Sequence, residues 1–461
     1  MKKSVGNKGN RWIKGMSYIL VIAVSVSLTA LFTGASEKMG KPLDQAATVQ
    51  QEKTADKPAD NESTKEFTFI DNWYMNTRVK FVMDGIWHRM GNVDEILDTV
   101  KRIRHTSELS WFREWDKTAE RIRSIGDKSL EGGHDISAGD AYLRASNYYL
   151  AAEVFLHTNP DDPRILETYK KGADSFIKGL KLLSEPVSVV EIPYEGTTLK
   201  GYFFKGAKQG EKAPVLLVHQ GFDASVEATK YIAEEAVKRG YNCLLFEGLG
   251  QGLTIREQKL TFRPDWENVV SPVVDYVLSR DDVDPDSVML MGISMGGGFA
   301  VRAAAFEKRL SLCIVDPGYT NLYNMVKDML GTKLINLYEQ DPKEFNKKFL
   351  DLAKYDVGTR WGVNHGMWVF GGKTPAEFLD RLKDFDYTAV TGQISCKMLV
   401  MDGTKETWGA GQAKQLYDSL NCPKYYMLFT EEDSAAYHCQ TGAPAVSTQR
   451  MFDWLDENVK K

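Results

Sequence analysis

Apolar and polar positions along this chain follow two different rhythms, and the change from one to the other falls at Pro186. From Phe67 to about Leu183 the spacing is helical, with Trp73, Val79, Phe81, Val82, Ile86 and Trp87 in one segment and Tyr142, Leu143, Tyr148, Leu150, Ala151 and Phe155 in another. Gly132-Gly133 and Asn159-Pro160 interrupt the pattern, which predicts four or five packed helices, a helical domain over 67–186. After Pro186 come short apolar, β-rich runs: Val187–Ile192, Leu199–Phe204, Val215–Val218, Cys243–Phe246, Val288–Met291, Leu312–Val315, Met398–Met401 and Tyr425–Phe429. The first two are consecutive and the rest alternate with amphipathic stretches. That order predicts an α/β domain over 187–461, built on a mainly parallel sheet with helices on both faces. Residues 319–390 are too many for a connection and carry helical periodicity with Trp361, Trp368 and Phe370. They are expected to form an inserted helical lid.

The residues before Phe67 follow neither rhythm. Lys2, Lys3, Lys8, Arg11 and Lys14 precede an apolar run from about Met16 to Phe32 that ends in Thr33-Gly34-Ala35. Residues 1–35 therefore read as a bacterial-type signal peptide, and the chain as exported. The run approaches membrane-spanning length, so an uncleaved anchor is the alternative and the one expected membrane contact. No Cys follows it, so no lipid anchor is expected. Residues 36–66 are rich in Lys, Asp, Glu, Gln and Pro without aromatic clusters, and are expected to be a disordered linker.

The chain has 58 Lys and Arg against 63 Asp and Glu, a formal charge of -5; without the five basic leader residues this becomes -10. Such a surface repels phosphate, so nucleic acid is not expected as a partner. The five cysteines show no C-x-x-C spacing and indicate neither a zinc site nor a disulfide framework. A Cys396–Cys422 bridge is the one pairing the strand order would allow.

Chemistry enters with Gly292-Ile293-Ser294-Met295-Gly296, which sits between the apolar run Val288–Met291 and the helix-like 297–306. As a bare pattern G-x-S-x-G is weak, but between a strand and a helix it describes a turn that exposes a nucleophilic serine. Ser294 needs a base. His88, His105, His134 and His157 lie in the helical region, His219 closes an earlier strand and His365 lies in the expected lid. Only His438 follows the last strand and precedes a terminal helix, where the order Ser, acid, His places the base. The acid should follow the strand Met398–Met401, in Asp402-Gly403-Thr404-Lys405-Glu406. Glu406 is assigned, with Asp402 and Asp316 as fallbacks. The oxyanion formed on attack needs two amide donors: that of Met295, and that of Phe222 in His219-Gln220-Gly221-Phe222-Asp223, where Gly221 permits a tight turn. His219 and Gln220 read as strand-end residues packed beneath the site.

Glu247-Gly248-Leu249-Gly250-Gln251-Gly252-Leu253 imitates a dinucleotide fingerprint, but Leu253 stands at the third glycine and no helix is expected to open there. A nicotinamide cofactor is rejected and the segment is read as a loop crossing near the nucleophile. No metal motif is present, so neither metal nor cofactor is expected.

Taken together, these residues resemble the α/β hydrolases that carry a helical region before the catalytic domain, a group including dihydroxy-pseudo-oxynicotine hydrolase and fungal polyketide-shortening hydrolases. The resemblance spans most of 136–458 and rests on Ser137–Ala152, Phe246–Gly252, Gly292–Gly297, Asn364–Gly371, Gly411–Leu420, Glu431–Gly442 and Gln449–Glu457. It implies the triad Ser294, Glu406 and His438. The chain departs from the group in having Glu406 where Asp is usual. It also has Leu253 after Gly-Gln-Gly, where members that cleave carbon–carbon bonds tend to carry an acid.

The expected activity is hydrolysis of an ester or related acyl bond in a small molecule through an acyl-enzyme. The alternatives are carbon–carbon hydrolysis of a 1,3-diketone, aminopeptidase-like amide hydrolysis, and an inactive fold kept for binding. Whether the chain forms a homodimer is left open. Trp361, Trp368 and Tyr148-Tyr149 are candidates for an acyl pocket, though aromatics at helical spacing more often form core.

Overall fold

A computed structural model describes residues 67–104 and 107–459; the leader 1–35, the linker 36–66 and His105 lie outside the described residues. Among the described residues no helix is long and apolar enough to cross a membrane.

The helical rhythm before Pro186 resolves into five helices: α1 (Trp73–Asp84), α2 (Val93–Arg102), α3 (Glu108–Glu131), α4 (Asp135–Glu153) and α5 (Pro163–Leu182). Their ends follow capping chemistry. Ser107 accepts from the Ser110 amide to start α3, and Asp162 with Pro163 starts α5. On α3 the buried positions Trp111, Trp115, Ala119 and Ile122 fall three to four apart and meet Ala141, Ala145 and Tyr148 of α4. Removing a side chain of that size from water contributes about 2–3 kcal/mol, so this stripe rather than helix propensity holds the pair together.

Beyond Pro186, in chain order, come β1 (Val187–Tyr194), β2 (Thr197–Phe204), β3 (Ala213–His219), α6 (Lys230–Lys238), β4 (Asn242–Phe246), α7 (Gly252–Arg256), α8 (Glu267–Leu278), β5 (Val283–Ile293), α9 (Met295–Phe306) and β6 (Leu312–Asp316). Four helices follow, α10 (Leu322–Gln340), α11 (Pro342–Ala353), α12 (Val357–Phe370) and α13 (Pro375–Leu382), and then β7 (Lys397–Gly403), α14 (Gln412–Ser419), β8 (Lys424–Phe429) and α15 (Pro444–Asn458). The strands form one sheet in the order β1-β2-β4-β3-β5-β6-β7-β8. The β1/β2 and β2/β4 pairs are antiparallel and the remainder parallel.

Continuous apolar runs suit the central strands because both faces are covered. Val215, Leu217, Val288 and Leu290 join one core with α8 and α9, and their neighbours Leu216, Val218, Met289 and Met291 join the other with α6 and α15. Leu143, Phe176 and Leu180 of the helical region belong to that second core, so it continues from the sheet into α4 and α5. The interval expected to be a lid is the set α10–α13. Trp361 on α12 is buried with Val357 in the same cluster as Trp111 and Trp115.

One expectation is corrected. A helix does open at Gly252, the five-residue α7. Its start depends on a tertiary partner, since the buried Glu247 carboxylate accepts from the Leu253 amide at 2.7 Å. All five cysteines are free thiols, including Cys396 and Cys422.

Candidate active site

The sheet's carboxyl edge gathers the chemistry, as open parallel sheets do. Ser294 leaves β5 and opens α9 with φ 58° and ψ −132°, a backbone conformation that L residues rarely adopt. It is held there by its own amide, which donates to the Asp316 carbonyl at 2.6 Å, and by its carbonyl, which accepts from Gly297 at 2.8 Å. A Cβ on Gly297 would run into the Pro317 carbonyl. Gly297→Ala is therefore expected to lower the unfolding free energy by about 3 kcal/mol, measured by urea denaturation.

His438 follows β8, and its Nε2 lies 2.9 Å from the Ser294 hydroxyl. Its Nδ1 lies 2.7 Å from Glu406 Oε2. The other oxygen of Glu406 accepts from the Trp408 amide at 2.7 Å, which fixes the carboxylate's orientation. With side-chain exposures of 16% for His438 and 4% for Glu406, the pair is shielded from competing water. Both fallback acids are engaged elsewhere: Asp402 accepts from the Tyr426 hydroxyl at 2.6 Å, and Asp316 from Gln440 Nε2 at 3.0 Å.

Burial alone would lower the His438 pKa, and the Glu406 carboxylate beside it acts in the opposite direction. Burial lifts the neighbouring Cys439 thiol to about 11. The sulfur is thus uncharged at neutral pH, and the carboxylate facing the imidazole is that of Glu406.

The loop after β3 runs beside the start of α9. A Cβ on Gly221 would sit 2.6 Å from the Met295 nitrogen and 2.7 Å from the Ile293 carbonyl, so only glycine lets the two backbones approach. Among the described residues neither the Met295 amide nor the Phe222 amide has an acceptor. The N-terminal end of α9 adds its partial positive charge at the same place. His219 packs beneath: fully buried, its pKa pulled down to about 4 by burial, its Nδ1 3.1 Å from the Gln220 carbonyl.

Aromatic rings lie beside His438 and Phe222. Trp408 lies 6.4 Å from His438 and 6.4 Å from Trp73 of α1, and Phe222 lies 5.7 Å from Trp361 of α12. Trp361 donates its indole N–H to the Val154 carbonyl at 2.6 Å. Tyr148 and Tyr149 are fully buried in the helical core. Several residues around the site were given no role by the sequence: Gln251 and His365, which hold carbonyls of the 220–222 segment, and Arg78, which is ion-paired with Asp223. Among the described residues no group of three His, Cys, Asp or Glu side chains is placed to hold a metal.

The model of the alpha/beta hydrolase fold family matches residues 213–456. The chain is 33% identical over 382 residues to Hydrolase LUC6 of Fusarium sp, covering 79% of this chain and 91% of that one. It is 32% identical over 383 residues to 20-hydroxy-prefusarin hydrolase FUS2 of Gibberella moniliformis, covering 79% and 91%. Among solved structures, 2,6-dihydroxy-pseudo-oxynicotine hydrolase superposes with a TM-score of 0.64 at 20% identity, over 82% of this chain and 94% of that one. With a helical region, a mainly parallel sheet and a serine elbow already in hand, the match is consistent throughout, and the chain belongs to the alpha/beta hydrolase fold family.

Proposed function

We propose that this hydrolase opens an ester or related acyl bond of a small molecule through an acyl-enzyme on Ser294. The observation that carries the reading is the continuous line from the Ser294 hydroxyl to His438, 2.9 Å, and from His438 to Glu406, 2.7 Å. In this reading His438 Nε2 takes the hydroxyl proton as Ser294 Oγ attacks the carbonyl carbon, and Glu406 stabilises the imidazolium. The negative charge that develops on the carbonyl oxygen is received by the Met295 and Phe222 amides. His438 then returns the proton to the leaving alcohol, and water repeats the sequence in reverse to free the acid and Ser294.

Trp408 beside His438, and Phe222 with Trp361 against it, favour an apolar or aromatic acyl part. Esters rank above 1,3-diketones because Leu253, where carbon-cleaving relatives tend to carry an acid, is buried against Tyr169 and Ala173. A fluorophosphonate probe tests the reading. Labelling of the wild type that vanishes in Ser294→Ala, with hydrolysis of at least one p-nitrophenyl ester, is the expected result; folded wild type that takes no label overturns it. Export through the leader is proposed alongside, and accumulation of the full chain in the cytosolic fraction of a bacterial host would contradict it.

A further inference from the structure

The short segment that carries the Phe222 amide is held by side chains from three directions. Gln251 Nε2 donates to the Gln220 carbonyl and, at 3.1 Å, to the Gly221 carbonyl. Arg78 of α1 is ion-paired with the Asp223 carboxylate. His365 Nε2 lies 2.9 Å from the Phe222 carbonyl. Gln251 comes from the loop after β4, beneath the site, but His365 comes from α12, within the interval between β6 and β7.

Two peptide planes meet at the Phe222 Cα, and their directions decide where the Phe222 amide points. The plane that contains this amide also contains the Gly221 carbonyl, which Gln251 holds. The next plane contains the Phe222 carbonyl, and His365 holds that one. With both planes tied, neither φ nor ψ of Phe222 can drift without breaking a buried hydrogen bond, and the amide stays aimed without reorganisation when charge develops.

His365 is itself held rigidly. Its ring lies nearly parallel to Trp361 at 4.8 Å and 9°, nearly parallel to His157 at 4.8 Å and 20°, and edge-on to Phe222 at 4.6 Å and 86°. His157 is fixed in turn by Glu153 at 2.6 Å and Arg256 at 3.1 Å, and Glu153 and Arg256 pair with each other at 2.6 Å. A carbonyl offers no proton, so His365 must carry its own on Nε2. Burial and the neighbouring His157 keep its pKa well below the ordinary value, so the ring is a neutral donor rather than a titrating cation.

We propose that His365 is a positioning residue for acyl transfer, fixing the Phe222 amide as an oxyanion donor and making the inserted helix α12 part of the catalytic machinery. The inference rests on the acyl-enzyme reading above.

The test compares His365→Leu, which fills the space but cannot donate, with His365→Gln, whose amide nitrogen reaches as far as Nε2, and with His365→Asn, whose amide falls short. Three quantities are read: the rate of Ser294 phosphonylation by a fluorophosphonate, kcat and KM on the best p-nitrophenyl ester, and Tm. His365→Leu is expected to lower both kcat and the phosphonylation rate on the order of 10- to 100-fold, with KM within about twofold. His365→Gln should restore most of that loss. If the leucine variant does not fold, the amide pair decides: an active Gln variant beside a slow Asn variant supports the proposal, and equal rates for the two overturn it. Wild-type kcat in a folded leucine variant also overturns it. A folded wild type that is neither labelled nor active would instead defeat the acyl-enzyme reading, so the two failures are distinguishable.

Discussion

Replacement of Ser294 by Ala is expected to lower kcat for an activated ester on the order of 10⁴- to 10⁶-fold while the protein stays folded. Ala has the same backbone preferences as Ser and removes one oxygen, so the elbow and its hydrogen bonds to Asp316 and Gly297 remain. In the acyl-enzyme reading, what is lost is the atom that forms the covalent intermediate. His438 then faces an empty position and can at most activate a water that nothing orients. The oxyanion donors persist, which is why a residual rate above the uncatalysed one is expected.

Ser294→Gly makes the complementary point. With φ 58° and ψ −132°, the residue occupies a conformation that costs a side chain about 1–3 kcal/mol and glycine almost nothing. Glycine's extra freedom in the unfolded chain takes back about 0.5–1 kcal/mol. The glycine variant should therefore be as inactive as the alanine variant but more resistant to urea, by about 1 kcal/mol. A strained residue whose removal stabilises the protein and abolishes turnover is retained for chemistry rather than for folding. Equal stability of the wild type and the glycine variant would argue that the strain is carried by the surrounding glycines instead.

The sheet was readable in advance because its central strands are buried on both faces, which forces continuous apolar runs such as Leu216–Val218 and Met289–Met291. Strand ends were less so. β5 begins at Val283, ahead of its apolar run, because Val283 pairs with Ala213 across a register shift. Ser294 was singled out by a local pattern and His438 by chain order together with a scarcity of histidines, and the two lie 2.9 Å apart. For the acid, the sequence put Glu406 first and kept Asp402 and Asp316 as fallbacks. Their separation depends on Tyr426 and Gln440, which engage Asp402 and Asp316 and leave Glu406 for the imidazole.

Contacts between distant parts of the chain left no trace in local spacing. His365 meets the Phe222 carbonyl across 143 positions and Arg78 meets Asp223 across 145. Arg78 stands in no motif, and the Asn364–Gly371 stretch around His365 marks a family resemblance without saying which carbonyl the ring would meet. The helix at Gly252 escaped because five residues are too few to show a period, and its Leu253 amide is satisfied by the Glu247 carboxylate six residues back, a contact that spacing alone does not announce.

Glu406→Gln should lower kcat/KM at neutral pH on the order of 10³- to 10⁴-fold with little change in fold. In the native site Oε1 accepts from the Trp408 amide and Oε2 faces His438 Nδ1. An amide has one oxygen, and only that oxygen can accept from Trp408, so the substituted NH2 group must face Nδ1. The imidazole is then driven to accept at Nδ1 and to carry its proton on Nε2, the tautomer that cannot take a proton from Ser294. Glu406→Asp keeps the charge but shortens the reach by one methylene, and should fall between the two. The pH profile adds an independent check. Because the carboxylate favours the imidazolium and burial opposes it, the wild-type acidic limb of kcat/KM should lie at higher pH than burial alone would set. Without that charge, burial pulls the other way, and the residual activity of the glutamine variant should show its acidic limb at lower pH. A glutamine variant within threefold of wild type, with its limb unmoved, would mean that the base is oriented by another group.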